Sequence, residues 1–71
     1  MLKLNTEYVT FIKKNAPDMV RFLVNDEINN ANQFLDEFYD WIDEYGFDDE
    51  GYYNSLGNKA QKIYDFVYQN S

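Results

Sequence analysis

The stretch from Ile28 to Gly46, INNANQFLDEFYDWIDEYG, decides the fold that the sequence predicts. Its apolar residues recur at alternating intervals of three and four, which is the spacing of one face of an α-helix. They are Ile28, Ala31, Leu35, Phe38, Ile42 and Tyr45. The residues between them are mostly polar and include five carboxylates, with no lysine or arginine in the whole stretch. The pattern therefore predicts an amphipathic helix with one side in a core and an acidic side facing solvent.

The acidic side of this helix is the candidate partner-binding site, and it continues past Gly46. We call the following eight residues the acidic ridge: Asp36, Glu37, Asp40, Asp43, Glu44, Asp48, Asp49 and Glu50. At a rise of about 1.5 Å per residue, the five acids before Gly46 carry one negative charge roughly every 3 Å. One strand of DNA carries one charge per about 3.4 Å. We expect such a ridge to fit a protein groove built for a nucleic-acid backbone, with Tyr39, Trp41 and Tyr52 as aromatic anchors.

The charge distribution supports this interpretation and also leaves an alternative. The net charge is -7, and the residues from 22 to 58 hold ten acids and no base. A surface selected only for solubility normally mixes both signs. The alternative is that the acidic side serves only solubility, because a large net charge is in the first place an indication of solubility and only then of a binding partner. Direct binding to nucleic acid or to an anionic membrane is excluded, because both require a basic surface.

The flanking sequence predicts further helices. Asn5 or Thr6 is suited to cap a first helix, and Pro17 ends it and suits the start of the next. A break at Asn25-Asp26 keeps Glu27 out of the apolar face, and Gly46 suits a left-handed C-terminal cap. Asp48 is suited to begin the last helix, with a later start at Asn54 or Ser55 as the alternative. We expect Phe47 to pack on Tyr52 as a hydrophobic staple.

The predicted fold is all-α: a small compact bundle of three to four helices, with the last two forming an antiparallel hairpin. The helices are expected at about residues 5–15, 17–24, 27–45 and 49–69. The central core residues are expected to be Leu35, Phe38, Ile42, Leu56, Ile63 and Val67. The 71 residues are enough for a single domain, 1–71, and a chain of this size has a marginal core that aromatic residues help to fill. The absence of an apolar run long enough for a signal peptide predicts a cytoplasmic protein.

Enzyme, metal and cofactor chemistry are not expected. The chain has no histidine and no cysteine, and its paired carboxylates, such as Asp36 and Asp40, fall on the side predicted to face solvent. The glycine positions do not match an EF-hand loop, because counting back from each glycine puts Trp41, Gly46 or Tyr52 where the first acid belongs. We therefore expect no catalytic residue, no metal ligand and no cofactor.

One tripeptide resembles a known family. Asn54-Ser55-Leu56 resembles the Asp-Ser-Leu of acyl carrier proteins, which are small, acidic and helical and carry phosphopantetheine on the serine. Here asparagine replaces the aspartate, and only fifteen residues follow Leu56 where that family needs two more helices. The chain is not assigned to the family.

The sequence therefore predicts a non-catalytic binding protein. The leading hypothesis is an inhibitor that occupies the cationic nucleic-acid-binding site of a target protein, as DNA mimics and phage anti-defence proteins such as anti-CRISPR proteins do. The alternative is a small helical interaction or assembly factor, homodimeric in one version, that uses its aromatic residues while the acidic surface serves solubility. Salt separates the two hypotheses, because it weakens charge contacts and spares apolar ones.

Overall fold

The computed structural model describes residues 2–71, most of which are helical. In chain order the elements are strand β1 (Leu2–Lys3), helix α1 (Thr6–Asn15), a 3-10 helix (Pro17–Phe22), strands β2 (Leu23–Val24) and β3 (Glu27–Ile28), and helices α2 (Ala31–Tyr45) and α3 (Ser55–Asn70). The prediction of a compact helical bundle is confirmed, with four helices in the described chain. The all-α assignment is wrong in one respect, since the three short strands form an antiparallel sheet in the order β1-β3-β2.

The sheet accounts for the errors in the predicted helix bounds. Asn25 and Asp26 connect β2 to β3 with φ angles of 53° and 64°. Two consecutive positive φ angles are typical of a type I′ hairpin turn, which asparagine and aspartate tolerate. The break predicted at these residues is correct, but it is a β-turn and not a helix cap. The helix predicted at 17–24 is therefore a 3-10 helix and a strand, and the helix predicted at 27–45 begins at Ala31 because Glu27–Ile28 pairs in the sheet.

Helix α1 begins where the sequence predicted. The side-chain oxygen of Asn5 accepts a hydrogen bond of 2.8 Å from the Tyr8 amide, which satisfies one of the free donors at the helix start. Pro17 lies in the first turn of the 3-10 helix, where its missing amide hydrogen costs nothing. Of the two predicted caps, Asn5 and Thr6, the structure has Asn5, and the prediction of Pro17 as a helix start is confirmed.

Helices α2 and α3 form the antiparallel hairpin that the sequence predicted. Gly46 lies against Gly57, and the ring of Tyr39 lies 6.2 Å from the ring of Tyr64, so residue numbers fall along one helix as they rise along the other. The last helix begins at Ser55, so the predicted start at residue 49 is wrong and the alternative of a later start at Asn54 or Ser55 is confirmed. The side chain of Asn54 caps it by accepting the Gly57 amide at 2.8 Å.

The two glycines allow the helices to approach closely at this end. Gly46 has a φ angle of -90°, so the predicted left-handed cap is wrong. A Cβ atom on Gly46 would lie 2.6 Å from the Ile42 carbonyl oxygen, and one on Gly57 would lie 2.0 Å from the Gly46 carbonyl oxygen. Both distances are far below van der Waals contact. Glycine is therefore required by packing and not by backbone conformation.

The core is built largely from aromatic rings. Phe34 contacts Phe22 at 5.8 Å and Phe38 at 5.0 Å, and Trp41 contacts Phe38 at 5.6 Å and Phe11 at 6.0 Å, measured between ring centroids. This row of rings connects α1, the 3-10 helix and α2. Five of the predicted core residues are buried: Leu35, Phe38, Ile42, Ile63 and Val67. The sixth, Leu56, is 37% exposed, because it lies in the first turn of α3 at the edge of the bundle.

Candidate functional site

Helix α2 places the helical part of the acidic ridge on one side of the molecule. At about 100° per residue, its five acids fall within an arc of roughly 120°. The opposite side of α2 carries Phe34, Phe38 and Ile42, which are buried and fix how the helix is rotated. The core therefore orients the acids outward. Four of them are exposed and Glu37 is partly buried.

Glu37 differs from the other acids because it is bound within the chain. The Arg21 guanidinium forms an ion pair with the Glu37 carboxylate and also donates a hydrogen bond of 2.9 Å to the Asp18 carbonyl oxygen. The guanidinium carbon lies 4.6 Å from the centre of the Phe22 ring, which is a cation-π contact. On the other side, Gln33 donates a hydrogen bond of 3.1 Å to Glu37. Glu37 is thus a structural acid that joins the 3-10 helix to α2.

The same contacts set the protonation of Glu37. The hydrogen bond from Arg21 holds the pKa of the Glu37 carboxyl below its ordinary value of 4.5. Partial burial acts in the opposite direction, while the Gln33 hydrogen bond and the positive charge of Arg21 add to the lowering of the pKa. The carboxylate form is therefore favoured at this position.

The remaining acids of α2 lack such partners. Over residues 2–71 the ion pairs are Arg21 with Glu37 and Lys13 with Asp26, the latter at 3.8 Å on the surface. We call the four acids without an ion pair in this range the open α2 acids: Asp36, Asp40, Asp43 and Glu44. They span about two turns and carry one charge per roughly 4 Å, so the pairing of Glu37 lowers the charge density that the sequence predicted. The density remains close to that of a nucleic-acid strand.

The last three acids of the ridge lie on a closed loop and not on a helix. The loop spans residues 46–54, and Phe47 pairs with Tyr53 across it through an isolated β-bridge. Asp48 accepts hydrogen bonds from the amides of Glu50 at 2.9 Å and Tyr52 at 3.0 Å, so its side chain holds the loop together. The exposed side chains of Asp49 and Glu50 extend the acidic surface beyond the end of α2.

The three predicted aromatic anchors differ in how exposed their side chains are. Tyr39 and Tyr52 are exposed by 61% and 69%, as a contact surface requires. Trp41 is only 9% exposed and packs mainly in the core, so little of its ring is accessible to a partner. The predicted staple of Phe47 on Tyr52 is wrong, since the Phe47 ring stacks on Tyr53 at 4.8 Å.

The sequence reasoning missed a groove beside α2. Asp18 of the 3-10 helix lines this groove together with Asp40, Trp41, Glu44 and Tyr45 of α2, and the groove has a volume of about 260 Å³. Asp18 lies outside the acidic middle of the sequence, and only the packing of the 3-10 helix on α2 adds it to this surface. No sequence signal connects it to the ridge.

The chemistry of this surface is that of hydrogen-bond acceptors and negative charge. Across residues 2–71, no three acidic side chains converge closely enough to hold a metal ion. Within the same residues, no helix is both long enough and apolar enough to cross a bilayer. Comparisons with protein-family models, with curated proteins and with solved structures give no match. The function must therefore be inferred from the surface itself.

Proposed function

We propose that this protein is a non-catalytic inhibitor that occupies the cationic nucleic-acid-binding site of a cytoplasmic target protein. The observation that carries the proposal is the row of open α2 acids. They are exposed, they lie on one rigid helix, and they have no ion pair within the described chain. Their spacing is comparable to that of backbone phosphates, so arginines and lysines arranged for a nucleic acid can pair with them.

The rigidity of the ridge strengthens this proposal. Binding costs less when the charged groups are already held in position. The aromatic core fixes the rotation of α2, and the Asp48 hydrogen bonds close the loop that follows. A partner therefore meets an ordered array of carboxylates and does not have to order a flexible acidic tail.

Two triple variants with equal charge change test the proposal. The first replaces Asp36, Asp40 and Asp43 with asparagine, and the control carries Glu7→Gln, Asp26→Asn and Asp65→Asn on other exposed positions. Each immobilised protein is presented with native cell lysate, and the retained proteins are eluted with a salt gradient and with double-stranded DNA. The binding constant of each identified target is then measured.

We expect the wild-type protein to retain a nucleic-acid-binding protein that DNA displaces and that salt elutes, because both act on charge contacts. The first triple variant should bind that target about tenfold more weakly or worse, while the control keeps its affinity within about twofold. Equal loss in both variants would mean that net charge alone matters. A target that DNA does not displace would also contradict the proposal.

A second candidate function rests on the aromatic surface of the hairpin. Exposed or half-buried rings on α2, α3 and the loop between them contact one another in pairs: Tyr39, Phe47, Tyr53, Tyr64 and Tyr68. Such a surface suits a small interaction or assembly factor, and a homodimer would bury it. Sedimentation equilibrium of the pure protein and of the Tyr39→Ser, Tyr68→Ser variant distinguishes this candidate, which requires a salt-resistant dimer that the variant loses.

A further inference from the structure

An apolar groove opens where the 3-10 helix, the end of α2 and the start of α3 meet. Its volume is about 310 Å³, and its apolar lining comes mainly from Pro17, Trp41, Tyr45 and Leu56. It adjoins the groove beside α2 that Asp18, Asp40 and Glu44 line, because Asp18, Trp41 and Tyr45 line both grooves. We call the first groove the apolar part and the second the acidic part of one surface.

The apolar part is made of side chains that the helix patterns place inside the protein. Tyr45 continues the buried face of α2, and Leu56 continues that of α3, yet both remain substantially exposed. They are the residues next to Gly46 and Gly57, where the two helices converge and the bundle ends. Exposed apolar side chains at the wall of a concave site are typical of a surface that another molecule covers.

The acidic part is complementary to a positive charge. Asp18, Asp40 and Glu44 line it, and its other end is already occupied by Arg21 on Glu37. Arg21 lies between a carboxylate and an aromatic ring, which is how a guanidinium is commonly held in proteins. Glu44 lies two turns further along α2, lines the groove together with Trp41 and Tyr45, and has no ion pair in the described residues.

We infer that this groove takes one arginine side chain from the basic surface of the partner. The methylene groups of the arginine lie on Leu56, and its guanidinium pairs with Glu44 and Asp18 and stacks on the exposed ring of Tyr45. Arginine fits better than lysine, because its planar guanidinium stacks on rings and binds carboxylates through two hydrogen bonds. This inference rests on the proposed function and names the side chain that the groove selects.

The single tryptophan of the chain is a reporter at the site. The probe is a short peptide of three arginines separated by glycines, and the matched control peptide carries uncharged citrulline in place of arginine. Each is titrated into the intact protein while the Trp41 indole N–H and the backbone amide signals are followed by NMR. The same titrations are made with Glu44→Gln, with Leu56→Ala, and with Asp65→Asn as the control variant on the outer side of α3.

We expect the arginine peptide to move the Trp41 indole signal and the Leu56 amide signal in a saturable way, and the citrulline peptide to leave both unchanged. Glu44→Gln and Leu56→Ala should each weaken this binding by about threefold or more, whereas Asp65→Asn should not weaken it. A peptide with lysine in place of arginine should bind more weakly. Glu44→Gln is an isosteric change at an exposed position, so it tests the inference even if Leu56→Ala unfolds the protein.

Two results would overturn the inference, and they differ in what they say about the proposed function. If the arginine peptide moves only signals near Asp36 and Asp43, or if Glu44→Gln binds as the wild type does, the groove has no role and the acidic ridge still binds cations. If no arginine peptide binds saturably at any position, the groove and the acidic ridge fail together.

Discussion

Glu37 and Glu44 lie on the same side of α2, about two turns apart, and yet they are different sites. Glu37 is bound by Arg21 from the 3-10 helix, whereas Glu44 has no ion pair among the described residues. The cause is the path of the chain, since the 3-10 helix brings one arginine to the first half of α2 and none to the second. Identical side chains on one acidic surface are therefore not equivalent, and of these two glutamates only Glu44 is without an ion pair in the described chain.

Gly57→Ala is expected to have the largest effect on the free energy of unfolding, and it should disturb the end of α2 that carries Glu44. The new Cβ atom would lie 2.0 Å from the Gly46 carbonyl oxygen, and backbone atoms cannot move aside as a flexible side chain can. We expect the free energy of unfolding to fall by about 3 kcal/mol, measured by urea denaturation. The acidic groove should lose its shape before the Arg21–Glu37 contact does.

The control for this prediction is Asn58→Ala at the neighbouring exposed position of α3. It should change the free energy of unfolding by less than about 0.5 kcal/mol, because it alters no packing. If Gly57→Ala were as mild as this control, the close approach of Gly46 and Gly57 would not be what holds the two helices together.

A smaller effect on stability is expected when glutamate is replaced with glutamine at position 37 and, in a separate variant, at position 44. Glu44 lies in the last turn of α2, where a negative charge opposes the helix dipole. This turn has no basic residue that could compensate the charge. We expect Glu44→Gln to raise the free energy of unfolding by about 0.3 to 1 kcal/mol at low ionic strength. Glu37→Gln should lower it slightly, because Arg21 loses its charged partner. Changes of the same sign in both variants would remove the distinction between the two halves of α2.

The smallest effect is the pH dependence of the Glu37 contact. A lowered folded-state pKa stabilises the protein above the ordinary glutamate value of 4.5, and this contribution disappears as the pH falls through the folded-state pKa. The stability difference between wild type and Glu37→Gln should therefore be complete at neutral pH and decrease in acid, once the pH has fallen below the ordinary glutamate pKa of 4.5. Urea denaturation of both proteins at each pH measures it. A difference that persists in acid would mean that Arg21 does not act through the carboxylate.

The three α-helices were largely predictable from the sequence, and the segment at residues 17–28 was not. Helix α2 has fifteen residues, which is long enough for the three-and-four spacing of its buried side to predict a helix. Strands of two residues contain no alternation to detect, so the pattern predicts helix over β2 and β3. Asn25 and Asp26 favour both a helix cap and a type I′ turn, and the choice depends on a pairing partner in β1 that lies far away in the sequence.

The sequence by itself determined that α2 is amphipathic and acidic, because periodicity and charge are local properties of a long helix. The tertiary structure alone decided which acids are available, since pairing depends on which element passes beside them. It brought Arg21 to Glu37, added Asp18 to the groove and left Leu56 exposed at the edge of the bundle. These contacts join residues from separate elements, and no pattern along the chain records the distance between them.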